Sequence, residues 1–272
     1  MNEPHLIASR FSRDPAAMMS VMRDAHAVLA GSAALYFFLS TATGLQNFNI
    51  FTPFRTAALV VGHLQRNEGY HIVNSFSPYG AATDSMDVCI DNPSHYLSGV
   101  REVACLMRDG ISIDVIASGI GSDSDSATVP LGCQWTTLLM GYVGSDGLCI
   151  PYPVQTLAAE GAYHVPRICH PSLGVGTNPA PLNKYLERGF QMFTHGCPDD
   201  HEHAQAPCHR WICPKAERSF GDGGCLLVLY PGTHQLAGLG TRWQFGGVPS
   251  RMGREVVYSR SAVHAPTCPC TF

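Results

Sequence analysis

From Ala25 to Phe54 the chain carries no Asp, Glu, Lys or Arg. A run this long and this free of charge meets the length criterion for a membrane span. It is broken, however, at Gly31-Ser32, at Ser40-Thr41 and at Gly44, and it ends in the polar patch Gln46-Asn47-Phe48-Asn49. Two buried elements around a turn fit those interruptions better than one continuous apolar helix. Ala27 to Ala30 is expected as a short buried strand closing at Gly31-Ser32, and Ala33 to Leu39 as a compact helix. Gln46 to Thr52 is expected as a second strand, stopped by Pro53. Alternation along that strand puts Asn47 and Asn49 on one face, Phe48 and Ile50 on the other.

The rest of the chain alternates helix and strand patterns. Asp14 caps a first helix with Pro15 at its first position and an apolar face of Met18, Met19 and Met22. Arg55 to Glu68 has helical spacing with Gly69 as its stop, and Tyr70 to Asn74 reads as a strand. Val100 to Met107 and Ile111 to Ser118 flank Asp109-Gly110, a hairpin signal. In the second arm Ile111, Ile113 and Val115 face one way, Ser112, Asp114 and Ile116 the other. The apolar stretch Leu131 to Val143 is expected as a helix, Leu148 to Tyr152 as a strand, Leu182 to Phe193 as a helix and Cys225 to Tyr230 as a strand. A last strand is expected at Glu255 to Ser259, and there is no repeat of 20–50 residues.

At 272 residues and 45% hydrophobic content the chain can bury a sizeable core. Charged residues are only 14%, below the usual share of about 25%. A net charge of −4 gives no electrostatic signal for nucleic acid or an anionic membrane as partner. The opening MNEPHLIASRFSRD has no apolar core of a secretory signal, and eleven cysteines at irregular spacing read as reduced thiols. The expected setting is therefore intracellular, cytoplasmic or nuclear.

Two groups of residues carry chemistry. In the first, Gly31-Ser32 offers backbone N–H groups and a hydroxyl for phosphate, and Asn47 and Asn49 share one strand face with Asp114 available from a later strand. Transfer of a nucleotidyl group needs carboxylates on adjacent strands to hold two divalent ions, because hard cations such as Mg²⁺ want anionic oxygen. In the second, His195 to Cys213 packs Cys197, His201, His203, Cys208 and Cys213 among seven soft-metal ligands. A tetrahedral structural Zn²⁺ held by a set such as Cys197, His201 or His203, Cys208 and Cys213 would close an insert that has no apolar core of its own; a solvated His-rich loop is the competing reading. Asp123-Ser124-Asp125 reads as a loop, and Gly221-Asp222-Gly223-Gly224 as a turn, since it precedes a strand.

The stretch Val28 to Thr52 resembles the nucleotidyltransferase-fold signature, a Gly-Ser turn followed by a strand bearing Asp-x-Asp. More narrowly it resembles a set of uncharacterised fungal proteins of that fold. Later segments share the likeness: Ile111 to Ser118, Cys149-Ile150-Pro151-Tyr152-Pro153, the run from Tyr185 to Gly189, and the run from Cys213 to Cys225. The resemblance implies an α/β (α+β) fold, a nucleotidyltransferase-like mixed sheet with flanking helices over residues 14–155. A smaller irregular C-terminal region over 156–272 would hold a helix, the Cys/His insert and short strands. It also implies a nucleotide with Mg²⁺ at Gly31, Ser32, Asn47 and Asn49, with Asp114 as the catalytic candidate. The departure is at Asn47 and Asn49, which stand where that family has carboxylates. The expectation is thus a degenerate metal site in a nucleotide-binding protein or a pseudoenzyme with a protein partner. The alternatives are an active Mg²⁺-dependent transferase that relies on Asp114 and on loop acids (Asp84, Asp87, Asp123, Asp125), and a zinc-stabilised interaction module.

Overall fold

The computed structural model describes residues 4–39, 45, 47–76, 99–119, 126–164, 180–194, 216–245, 248–249 and 255–257. Over those residues the chain is a mixed α/β structure built on one large sheet flanked by helices. Helix α1 (Pro4–Ala8) leads to α2 (Pro15–Asp24), whose N-cap Asp14 accepts from the Ala17 N–H and which starts on Pro15. Strand β1 (Val28–Ala30), helix α3 (Ser32–Phe38) and strand β2 (Asn47–Pro53) follow. The charge-free stretch is thus cut into strand, helix and strand, each buried in the protein core. Among the described residues no helix is long and apolar enough to cross a membrane.

A 3-10 turn (Phe54–Thr56) runs into α4 (Ala57–Arg66), then β3 (His71–Phe76), β4 (Val100–Arg108) and β5 (Ile111–Ser118). The expected hairpin forms at Asp109 and Gly110, with φ of 50° and 78°, and Arg108 pairs with Ile111 across the two-residue loop. Strands β6 (Tyr142–Gly144) and β7 (Gly147–Ile150), and later β11 (Leu226–Leu229), complete a sheet of order β11-β7-β6-β1-β2-β5-β4-β3. The pair β2–β5 is parallel; every other neighbouring pair in it is antiparallel.

Period-2 alternation divides the core. Leu29, Phe48, Ile50, Ile113 and Val115 face α1, α2, α3 and α4, with Met18, Met19 and Met22 packed on them. Val28, Ala30, Phe51, Ile116, Tyr142 and Cys149 face the other way, under Tyr152, Phe220, Trp243 and Phe245. Residues on both sides of position 155 therefore share one core. The second face is flanked by a small sheet of β10 (Arg218–Ser219), β12 (Arg242–Trp243), β14 (Glu255–Val257) and β13 (Val248–Pro249). A third cluster joins Leu35 of α3 to Trp135, Leu139, Tyr185 and Phe190.

Two expected helices differ. Leu131 to Val143 forms a short helix, α5 (Val129–Gly132), a 3-10 turn (Thr137–Leu139) and then β6. The run is buried almost throughout, so it has no polar face to set a helical period. Gly132 ends α5, and Thr136 caps the 3-10 turn through its side chain. After α6 (Pro153–Leu157) and β8 (Glu160–Tyr163), the helix expected over Leu182 to Phe193 is α7 (Ala180–Glu187), followed by strand β9 (Gln191–Thr194). Gly189, at φ 85°, turns the chain out of the helix, and β9 pairs in parallel with β8.

Candidate functional site: a carboxamide–carboxylate row beside Gly31

Register fixes the site. Asn49 on β2 is the direct partner of Asp114 on β5, Ala30 on β1 the partner of Asn49, and Cys105 on β4 the partner of Asp114. Direct partners share a face, so Asn49, Asp114 and Cys105 form one polar row across three neighbouring strands. Asn47, two residues along β2, joins it through a side-chain hydrogen bond to Asp114. The three sequence-derived residues Asn47, Asn49 and Asp114 are thus brought together.

Gly31 completes the row. It sits at φ 71° and ψ −150°, a region open essentially to glycine alone. A Cβ there would stand 3.0 Å from Asn49 Nδ2, so the carboxamide lies against the turn. Asn49 Oδ1 is buried and has no hydrogen-bond partner among the described residues. The Ser32 hydroxyl is already engaged: it lies 2.7 Å from the Tyr185 hydroxyl of α7. Tyr185 is itself buried, packed edge-on against Trp135 and Phe190, and burial pushes its phenol up to about 12. Of the two residues expected to cradle phosphate, Gly31 lies against Asn49 while Ser32 is tied to α7.

Asp114 is 4% exposed, and its burial raises the carboxyl to about 6 against the pull of hydrogen bonds from Cys105 and Asn47. No cation among the described residues pairs with it. The row therefore holds one negative charge at most, and that charge is only partly secured near neutral pH. Two divalent ions need several anionic oxygens, and one buried carboxylate with two carboxamides does not fit that requirement. Among the described residues no group of three or more His, Cys, Asp or Glu side chains is placed to hold a metal ion. Cys197, His201, His203, Cys208 and Cys213 lie outside the described residues, as do the loop acids Asp84, Asp87, Asp123 and Asp125.

A separate cavity of about 330 Å³ opens at the Pro53 end of β2, between Arg23, His26, Ser126, Asp146 and Gln235. Its charged groups are already matched, since Arg23 Nε donates to Asp146 at 3.1 Å. Two further buried polar groups escape a reading of sequence alone. Glu68 accepts from Ser12 Oγ and the Arg13 N–H at 2.6 Å each, and from Arg108 at 3.0 Å. Arg218 donates to Asp222 at 2.6 and 2.9 Å beside Cys225. The Cys105–Asp114 contact was accessible in principle, because counting back from the Asp109-Gly110 turn pairs those two residues.

No protein-family model matches the chain, and no curated protein is detectably similar to it in sequence.

Proposed function

We propose that the chain is a nucleotidyltransferase-like protein with a degenerate metal site, one that binds a nucleotide without transferring it. The observation that carries the reading is the register of Asn49 with Asp114 on adjacent parallel strands, beside the glycine of a Gly-Ser turn. That is the placement expected of three metal-binding side chains, and two of them are carboxamides. A carboxamide oxygen can accept a hydrogen bond or join a cation's coordination but adds no charge. What remains is a polar row with a carbonyl oxygen unpartnered among the described residues, an ionisable carboxyl and the amide of Asn47, groups that can hydrogen-bond a base or sugar.

Isothermal titration with ATP, CTP, GTP and UTP, each with Mg²⁺ and with chelator, tests the reading. The expected result is binding of at least one nucleotide with an affinity that chelation leaves unchanged. Absence of heat at millimolar ligand overturns nucleotide binding. Mg²⁺-dependent turnover that Asp114→Asn abolishes overturns degeneracy, and makes the chain an active transferase resting on Asp114.

A further inference from the structure

At the β11 edge of the sheet, two thiols meet. Cys149 lies in β7, fully buried, and its register partner on β11 is Leu227. Cys225 stands two residues before Leu227, on the same face and half-buried. The two side chains hydrogen-bond to each other, and the Gly221 backbone N–H contacts both sulfurs. Neither is in a disulfide.

The surroundings of Cys225 are densely hydrogen-bonded. Arg218 Nη2 lies 3.7 Å from Cys225 Sγ. That guanidinium is 2% exposed and pinned by two bonds to Asp222 and one to the Pro151 carbonyl, over the rings of Tyr152 and Trp243. As a thiol, Cys225 donates toward the Ser219 carbonyl at 3.5 Å or Asp222 Oδ1 at 3.4 Å. As a thiolate it accepts from Cys149 and Gly221 and faces Arg218. The Cys149 hydrogen bond lowers the Cys225 thiol below its ordinary value, and the same bond together with burial raises Cys149. A partly exposed, low-lying thiol with a buried second thiol against it is the arrangement of an attacking and a resolving cysteine.

We propose that Cys149 and Cys225 are a redox-modification site, a dithiol that closes to a disulfide when hydrogen peroxide reaches Cys225. The Cys225 thiolate attacks one peroxide oxygen, the O–O bond breaks, and the leaving hydroxide takes a proton to become water. Cys149 sulfur then attacks the Cys225 sulfenic sulfur, the S–O bond breaks, and a second water leaves with the Cys149 proton. Each sulfur loses one electron and the peroxide gains two. The bond ties the edge strand β11 to β7, and a dithiol reductant reverses it.

The test is peptide mapping of the reduced full chain after hydrogen peroxide at pH 7. A Cys149–Cys225 linked peptide, lighter by two hydrogens and cleaved by dithiothreitol, is expected. Iodoacetamide should alkylate Cys225 at least about tenfold faster than the buried Cys105 and Cys133, because the thiolate is the reacting form. In Cys149→Ser the linkage disappears and dimedone traps a sulfenic acid at Cys225. Cys225 left as a thiol, over-oxidised without pairing, or paired with another cysteine in the unaltered chain overturns the proposal, and that mapping needs no variant to fold.

Discussion

Arg108, at the end of β4, reaches Glu68 beyond the end of α4 at 3.0 Å, and both side chains are almost wholly buried. Arg108 also donates to the Glu68 and Phe11 carbonyls, at 2.6 and 3.0 Å, and lies over the Tyr70 ring. Burial alone would raise the Glu68 carboxyl, but bonds from Ser12, the Arg13 and Asp14 N–H groups and Arg108 outweigh it and bring the group to about 2. The knot ties the turn between α1 and α2 to the sheet.

Glu68→Gln should therefore destabilise the fold by about 3–5 kcal/mol, since it leaves a buried guanidinium with only the exposed Asp109 carboxylate, at 3.8 Å, as counter-charge. The unfolded chain takes up this proton near 4.5 and the folded chain only near 2, so the carboxylate's contribution is complete above 4.5 and is lost as pH falls toward 2. The difference corresponds to about 3 kcal/mol. Urea denaturation between pH 5 and 2.5 should show stability falling with pH more steeply in the parent than in Glu68→Gln; equal slopes would exclude the knot as a source of acid sensitivity.

Asp114 should behave with the opposite sign. Its folded carboxyl titrates at about 6 against an ordinary 3.8, so the folded state holds the proton more tightly. The contribution of this group is full below about 3.8 and falls as pH rises to about 6, by about 3 kcal/mol. Asp114→Asn removes that loss and gives back about 1 kcal/mol through altered hydrogen bonds. The variant should be more stable than the parent by about 2 kcal/mol at pH 8 in denaturant titration. Destabilisation at pH 8 would make the carboxylate a structural group. A buried acid retained at a stability cost is what a functional position looks like.

Much of this site was legible because β-strand geometry is strict. Alternation alone separates Asn47 and Asn49 from Phe48 and Ile50, and one two-residue turn fixes the pairing of Cys105 with Asp114. The engagement of Ser32 was not legible, since Tyr185 arrives from 153 residues away by packing its ring into an aromatic cluster. Glu68 looks in sequence like an ordinary acid at a helix end; its burial depends on Arg108 arriving from a distant strand. Strand β6 was hidden for a different reason. An apolar run buried on all sides has no period to read, and only its glycines hinted at the breaks.

Gly31 should tolerate no side chain. Gly31→Ala forces a residue with a Cβ into φ 71°, ψ −150°, at about 1–3 kcal/mol, and presses that Cβ on Asn49 Nδ2 at 3.0 Å. Placing Gly31→Ala in an Asn49→Ala background should recover the contact part of the loss and leave the backbone part. A double-mutant cycle by thermal denaturation separates the two. Strict additivity would show that the carboxamide does not press on the turn.

Restoring charge at Asn47 and Asn49 probes the proposed degeneracy directly. Asn47→Asp with Asn49→Asp places three carboxylates on two adjacent strands, with Asn49 in register with Asp114. Without metal, three neighbouring acids repel one another and the variant should melt below the parent. Mg²⁺ supplies the missing positive charge, and each added anionic ligand strengthens its binding. Because a ligand that binds only the folded state stabilises it by mass action, Mg²⁺ at about 100 times its Kd should return about 2.7 kcal/mol. For a chain this size that is a rise of several degrees in Tm, about 2–4 °C per kcal/mol. The parent's Tm should not move over the same Mg²⁺ range. A Mg²⁺-dependent rise in the parent as large as in the variant would mean that Asp114 and two carboxamides already suffice for the ion, and that degeneracy is the wrong description of the site.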